Sequence, residues 1–289
     1  MPARAAPTAG RLHLTVVAGA RALAASAHAA VFWLVLRGQV EVRAKEGDFL
    51  LGPGDWIALD GDSAPHALGR AGTLLLGADL DPDLKRRWGG MLLFPARGRM
   101  PARARGHAFR SWRANGAFED DHPGSGVGGG ALLEFLADLQ ADLIGRIDRC
   151  PGHSDRRRRQ VMVRMQRARL CLEGRMDGGL RIGELARRIH FSPWYFSKVF
   201  QALYDIGPLQ FSVRMRLEHA HRLLATTCLP VTEVSAACGF DNPCSFARAF
   251  RARFGMSASE YRLRHARGGD AAPRKRACVA SPACMRGGR

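Results

Sequence analysis

The chain has 289 residues, with 44 Lys and Arg against 26 Asp and Glu, a formal net charge of +18. That length allows two domains of ordinary size, each able to bury its own core. No window approaches the 18 or more apolar residues of a membrane helix, and the opening MPARAAPTAGRLHL lacks the apolar run of a signal peptide. Seven cysteines, an odd number without a C-x-x-C pair, fit neither a disulfide framework nor a zinc site. Cys171, Cys228 and Cys238 read as small buried hydrophobes, and Cys278 and Cys284 as tail residues. The expectation is a soluble, reduced, cytoplasmic protein.

The first half reads as strands. VVAGARAL, AAVFWLVLRGQVEVRA, GDFLLGPGDWIALD and GTLLLGADL are short, rich in Val, Leu and aromatics, and punctuated by Gly, Pro and Asp. Such spacing suggests a sandwich or barrel. Gly38 is expected to close one hairpin and Pro53-Gly54-Asp55 the next. Residues 98–130 are rich in Gly and Arg and read as irregular chain leading into a linker. A helix is expected over about 131–149, with Leu132, Phe135, Leu136, Leu139, Leu143 and Ile147 on one face. That face packs against its own barrel or against its copy in a second subunit. The run Arg156–Arg159 opens a helix over 156–174. The tail from about residue 266 has too little apolar content to fold.

Residues 180–204 and 230–254 carry one signature twice. Ile182, Leu185, Ala186 and Ile189 fall at i, i+3, i+4, i+7, the spacing of a buried helical stripe, and Phe196, Val199 and Phe200 follow on a second helix. The second unit repeats this with Val231, Val234 and Ala237, then Phe246, Ala249 and Phe250. Ser192-Pro193 and Asp241-Asn242-Pro243 stand between the helices as N-cap and first-turn residues. Each unit is thus a helix-turn-helix. With Lys198 and Arg248 as equivalent points, the units are offset by 50 residues. A helix over 209–226, with Val213, Leu217, Ala220, Leu223 and Leu224 as its stripe, fills the gap. It is long enough to hold two reading heads apart as one body, matched to major grooves that recur about every 34 Å.

Charge points to the same partner. Residues 155–289 carry 26 basic against 10 acidic side chains, whereas residues 1–154 carry 18 against 16. The excess lies on the half that carries the motifs, as phosphate neutralisation requires.

These residues resemble the AraC-type transcriptional regulators, over roughly residues 155–265. The matching motifs are LxIxELAxxIxFSPxYFSKxF and RxxxAxxLLxxTxLPVTEVxxACGFDNxxSFxRAFRxRFGxSxxEYR, with the Gly239-Phe240 step the most diagnostic. The chain departs from the family pattern at three places. His190 stands at a usual glycine, where a left-handed backbone is expected. Gly207-Pro208 only loosely replaces the usual connection, and Ala258 stands where Pro is common.

The resemblance implies double-stranded promoter or operator DNA as the partner, with RNA polymerase and a second copy of the chain as further partners that the family arrangement allows. On the first reading helix the outward set is Trp194, Tyr195, Ser197, Lys198 and Gln201. Trp194 can offer apolar contact to a thymine methyl and Lys198 can donate to guanine O6/N7; core packing is the other reading of Trp194. On the second the set is Asn242, Pro243, Cys244, Ser245, Arg248 and Arg251. Arg248 is the candidate for a bidentate guanine contact and Ser245 for a phosphate contact. Pro243 and Cys244 are poor hydrogen-bonders, which points to phosphate positioning more than sequence reading by this head.

FWLVLRGQVEV and LLGPGDWIALDGDSAPHAL resemble the cupin jelly roll that serves such regulators as a sensor domain. His66 falls at a cupin histidine, but Val31 replaces the expected glutamate and His28 is isolated, so no metal and no cofactor are expected. Phe32, Trp33, Leu34 and Trp56, on alternate strand faces, together with His66, are the candidate effector pocket. The expected architecture is a two-domain α+β chain: a cupin-like β-barrel (1–120), a linker and dimerisation helix (121–154), an all-α double helix-turn-helix domain (155–265) and a basic disordered tail (266–289). The expected function is sequence-specific regulation of transcription under a small-molecule effector. The alternatives are a metal-dependent cupin enzyme tethered to DNA and a ligand-independent regulator whose barrel only dimerises.

Overall fold

The run Ala30–Arg37 is apolar at nearly every position, so a strand here must be covered on both faces. It is: Val31, Trp33 and Val35 are buried on one side, Phe32 and Leu34 on the other. The computed structural model describes residues 11–17, 21–24, 30–80, 93–101, 104, 106, 110, 135–176 and 180–267. Its strands are β1 (Arg11–Val17), β2 (Arg21–Ala24), β3 (Ala30–Arg37), β4 (Val40–Ala44), β5 (Gly47–Leu51), β6 (Asp55–Leu59), β7 (His66–Gly69), β8 (Thr73–Leu80) and β9 (Ala96–Arg99).

They form a five-stranded sheet, ordered β1-β8-β3-β6-β9, and a four-stranded sheet, ordered β2-β7-β4-β5. All pairs are antiparallel. Val31, Trp33, Val35, Ile57, Leu59 and Leu75 of the first sheet meet Val40, Val42, Phe49, Leu51 and Ala67 of the second in one core. The region is strand-rich as expected, but a closed barrel is not formed: among the described residues no ladder joins the two sheets.

The two expected hairpins are corrected for the same reason. Gly38 and Pro53-Gly54-Asp55 stand where the chain leaves one sheet for the other, β3 to β4 and β5 to β6. Gly38 needs its positive φ of 83°, and a Cβ there would lie 2.5 Å from Thr73 Oγ1. Among the described residues the hairpin formed is β4–β5, closed at Ala44–Gly47.

On the outer face of the five-stranded sheet, Phe32, Leu34, Trp56 and Ala58 are covered by Met100 and Leu136. Gly98 lets Trp56 lie flat on β9, because a Cβ at that position would approach the indole to 2.6 Å. Residues 98–130 are therefore not irregular throughout: residues 98 and 99 close β9, and 104, 106 and 110 are helical.

The single helix expected over 131–149 is broken. Residues 131–134 lie outside the described residues, 135–139 are helical, and Gln140 interrupts them before α1 (Ala141–Ile144) and a 3-10 turn at Ile147–Arg149. Gln140 is 1% exposed, and its amide is spent on Phe94: the Phe94 N–H donates to Gln140 Oε1 at 2.9 Å and Gln140 Nε2 donates to the Phe94 carbonyl at 2.9 Å. The apolar stripe lies on the protein's own cores, Leu136 on the sheet and Ile147 among the helices.

The helix α2 (Asp155–Gly174) is capped by Ser154, whose Oγ accepts from the Arg157 N–H. It packs on both halves. Val161, Met162, Met165, Ala168 and Leu172 enter the helical core, while Leu170 enters the core between the sheets. Its last residue rests on the β4–β5 hairpin at van der Waals limit: a Cβ on Gly174 would stand 2.7 Å from Phe49 Cζ, and one on Gly47 2.5 Å from the Gly174 carbonyl carbon. Arg167 donates from Nε to Asp60 at 2.7 Å and pairs with Asp62 at 3.3 Å. The neighbouring Glu46 is 7% exposed and accepts from Ser63 Oγ at 2.8 Å; burial pushes its carboxyl above the usual range.

The remaining helices are α3 (Ile182–Arg188), α4 (Pro193–Tyr204), α5 (Pro208–Thr226), α6 (Val231–Ala237), α7 (Pro243–Phe254) and α8 (Ala258–Arg267). The final helix runs past the expected tail boundary at 266; residues 268–289 lie outside the described residues.

Gln140→Ala would orphan both the N–H and the carbonyl of buried Phe94. Each unsatisfied group costs about 1–3 kcal/mol, so thermal or urea unfolding of the variant should show a loss of several kcal/mol. Gln140→Glu would set a carboxylate oxygen against the Phe94 carbonyl at a position 1% exposed, and at neutral pH should cost at least as much as the alanine variant.

Candidate nucleic-acid interface

Each helix pair is turned by one residue in the left-handed region. Gly239 has φ 70° and His190, its counterpart, φ 58°. At these turns Phe191 N–H donates to the Ala186 carbonyl at 2.9 Å and Phe240 N–H to the Ser235 carbonyl at 3.1 Å, a C-terminal capping arrangement that satisfies otherwise free carbonyls. The second helices start as the sequence dictates. Ser192 Oγ accepts from the Tyr195 N–H and Asn242 Oδ1 from the Cys244 N–H, with Pro193 and Pro243 in the first turns. Phe196, Val199, Phe200 and Leu203 of α4 face one core, and Phe246 and Phe250 of α7 another. On α6 the stripe is Val231, Val234 and Cys238; the expected Ala237 is exposed, because the helix meets its neighbours one residue further round.

The repeat is larger than two helix pairs. The helix before each pair supplies an arginine that covers the phenylalanine of the turn: Arg164 of α2 lies 5.5 Å from the Phe191 ring and Arg216 of α5 lies 4.6 Å from the Phe240 ring. Arg216 Nη1 also donates to the Gly239 carbonyl at 2.6 Å. The units are therefore α2–α3–α4 and α5–α6–α7. Sequence reasoning missed both arginines: the offset of 52 between them departs from the 49 between the two phenylalanines, so the repeat spacing did not mark them as counterparts. The helix α5 serves both units, with Phe211 in the first core and Leu217, Ala220 and Leu224 in the second.

On α4, Trp194 is 67% exposed, so it is not core. Lys198, one turn on, lays its Nζ 4.8 Å from the Trp194 ring centroid, and Gln201 is exposed beyond it. Ser197 is half-buried, its Oγ donating back to the Pro193 carbonyl at 2.9 Å. Tyr195 is drawn off the outward face onto Phe191, centroids 5.0 Å apart. On α7, Asn242, Pro243, Cys244, Ser245, Arg248 and Arg251 are all exposed. Arg253, by contrast, is paired with Glu218 at 2.7 Å. Each unit thus offers a polar, cationic face on a rigidly seated helix, a form suited to a groove lined with phosphates and base edges.

The five expected pocket residues are not brought together. Trp33 lies between the sheets, Phe32, Leu34 and Trp56 lie on the opposite face of the five-stranded sheet, and His66 is exposed on β7 with Nδ1 3.0 Å from the Ala64 carbonyl. Adjacent strand residues point to opposite faces, so no single cavity can be lined by Phe32, Trp33 and Leu34 together. Among the described residues no group of three or more His, Cys, Asp or Glu is placed to hold a metal ion. Burial pushes the thiols of Cys150, Cys171 and Cys238 up to about 11, which keeps them protonated. Cys228 is exposed, contrary to expectation, because it falls in the open turn after α5. Among the described residues no helix is long and apolar enough to cross a membrane.

Two helix-turn-helix units on one connecting helix define a DNA-binding class of protein. A family described as "Helix-turn-helix domain" matches residues 185–264. The chain is 30% identical over 184 residues to the HTH-type transcriptional regulator CdhR of Pseudomonas aeruginosa, covering 52% of this chain and 55% of that protein. It is 30% identical over 92 residues to the HTH-type transcriptional activator AarP of Providencia stuartii, covering 32% of this chain and 68% of that protein. A solved structure of a probable AraC family transcriptional regulator from Rhodopseudomonas palustris is 32% identical, with 35% of this chain and 96% of that chain covered and a TM-score of 0.34. The chain belongs to the AraC-type helix-turn-helix transcriptional regulators. It spans just over half the length of the Pseudomonas relative. The names of these relatives are those of regulators, not of enzymes.

The residue His190 carries a side chain where the repeat has glycine, and a non-glycine residue in this region costs about 1–2 kcal/mol. His190→Gly should therefore raise the unfolding midpoint by an amount equivalent to about 0.5–1 kcal/mol, read by calorimetry.

His221 of α5 is wedged against Phe254 (centroids 4.7 Å) and Tyr261 (4.2 Å), with His265 at 6.4 Å. Burial, with help from His265 and Arg222 and against Glu218, holds its pKa below the ordinary 6.5. The unfolded chain then binds the proton more readily, so this stability is whole above the unfolded value and is lost as pH falls below it. Unfolding midpoints measured from about pH 7.5 to 5 should fall with acid, and His221→Phe should flatten that slope.

Proposed function

We propose that the chain regulates transcription by binding a two-part duplex DNA site, with α4 and α7 each entering a major groove. The observation that carries this is the exposed face of α4, where Trp194 and Lys198 stand stacked on a helix whose other side is fully buried. On this reading Trp194 contacts a thymine methyl, while Lys198 and Gln201 donate to base edges. Ser197, whose hydroxyl is engaged by the helix, contributes its position. The second head anchors through Arg248, Arg251 and Ser245, with Asn242, Pro243 and Cys244 close to the duplex, of which Pro243 and Cys244 have little to donate. The helical half from about residue 155 carries this activity, and the strand-rich half is the regulatory one.

A small-molecule effector is the regulatory signal that best fits the strand-rich half. Trp33 is 1% exposed between the sheets, and its indole N–H has no hydrogen-bond partner among the described residues. An apolar or amphipathic molecule with one acceptor atom would satisfy that donor.

The test uses the full chain and DNA enriched from a random duplex library. Binding should weaken linearly in log affinity against log salt. Arg248→Ala should lose about 1–3 kcal/mol at one base position and relax the preference there, while Arg156→Ala should weaken all sequences evenly. Equal losses for Arg248→Ala on enriched and scrambled DNA would remove it from the reading set.

A further inference from the structure

We propose that Asp205, held by Arg146 and Arg149, is a positioning residue that sets the angle between the two DNA-reading heads. Asp205 is the first residue after α4, at the joint with α5, and lies in the left-handed region with φ 59°. Its counterpart fifty residues on is Gly255, with φ 74° and nothing within 4 Å of where a Cβ would stand. Glycine takes this conformation freely, whereas aspartate does so at a cost in backbone energy. In the first unit that costlier residue is met by two cations. Arg149 Nη1 donates to both carboxylate oxygens, at 3.1 and 3.2 Å. Arg146 Nη1 donates to the Leu203 carbonyl at the end of α4, at 2.5 Å, and lies 3.7 Å from the same carboxylate.

Neither arginine belongs to a reading unit. Both sit beside α1, in the segment pinned to the five-stranded sheet by the Gln140–Phe94 pair and Leu136. The segment that leads from the five-stranded sheet into the helical core, where Ile147 and Cys150 are buried, thus grips the joint from which α5, and with it the second head, departs. Exposed ion pairs are individually weak. Here the pair is combined with a charged donor on a helix-terminal carbonyl, and it acts at the three-residue joint, residues 205–207, from which α5 starts. The second head is seated on the far part of α5 by the core of Leu217, Ala220 and Leu224, so its placement follows the direction in which α5 leaves this joint.

This inference rests on α4 and α7 both reading DNA. The experiment measures the affinity of the full chain for enriched two-part sites, for the same sites with one base pair inserted between the parts, and for a single half-site. The wild-type chain should bind the lengthened sites roughly tenfold more weakly. Asp205→Gly and the double variant Arg146→Ala/Arg149→Ala should reduce that penalty to about twofold with half-site affinity unchanged. Asp205→Asn, which tolerates the left-handed backbone and still accepts from Arg149, should retain most of it. The unfolding midpoint of Asp205→Gly should not fall, since glycine relieves the backbone.

A spacing penalty absent in the wild type, or unaltered in both variants, overturns the proposal. So does an even loss on every DNA accompanied by a lower unfolding midpoint, which is the mark of a residue that only stabilises. Failure of the wild type to bind any of the DNAs overturns instead the reading of the two heads.

Discussion

The structure depends on α2 being buried twice. Leu170 is taken into the core between the sheets while Val161, Met162, Met165 and Ala168, on the other side of the same helix, are taken into the helical core. One helix therefore cannot leave either half without exposing apolar surface, at about 25 cal/mol for each Å². The two glycines at its end make this possible. With Gly47 and Gly174 in backbone contact, the helix comes close enough for Arg167 to reach Asp60 and for Arg175 to reach the carbonyl of Lys45 at 3.0 Å. A side chain at either position would hold the helix off and draw Leu170 from its site.

The helical half was largely legible. Its helices are amphipathic at a period of 3.6, and their starts are written in Ser192-Pro193 and Asn242-Pro243, so local signals and tertiary packing agree. The left-handed turn at His190 could be anticipated from the glycine that stands in the repeat at Gly239. The clamping arginines could not. Arg164 and Arg216 look like any helical arginine until the phenylalanine each one covers is brought beneath it by the fold.

The strand-rich half was legible in its elements and not in their pairing. A glycine between two apolar runs marks a reversal, but whether the chain returns along its own strand or crosses to another sheet depends on partners distant in sequence. At Gly38 it crosses, because β3 is claimed by β6 and β8. The same difficulty defeated the pocket. With both faces of β3 buried, the alternation that separates inside from outside is absent from the sequence, and Phe32 looks as much a lining residue as Trp33. The helix over 131–149 failed differently: Gln140 is a good helix former, yet the pair of bonds it makes to Phe94 outweighs the continuity of one helix.

The connecting helix α5 has a mechanical consequence. Its 19 residues span about 28 Å, and the residues at its start belong to a different core from those at its end. It therefore works as a lever arm: a tilt of only about 7° at its base carries the far end sideways by about 3.4 Å, the rise of one base pair. A regulator built on such an arm can change the register of its second contact without remodelling either head, through a movement smaller than the ordinary scatter in how two helices cross.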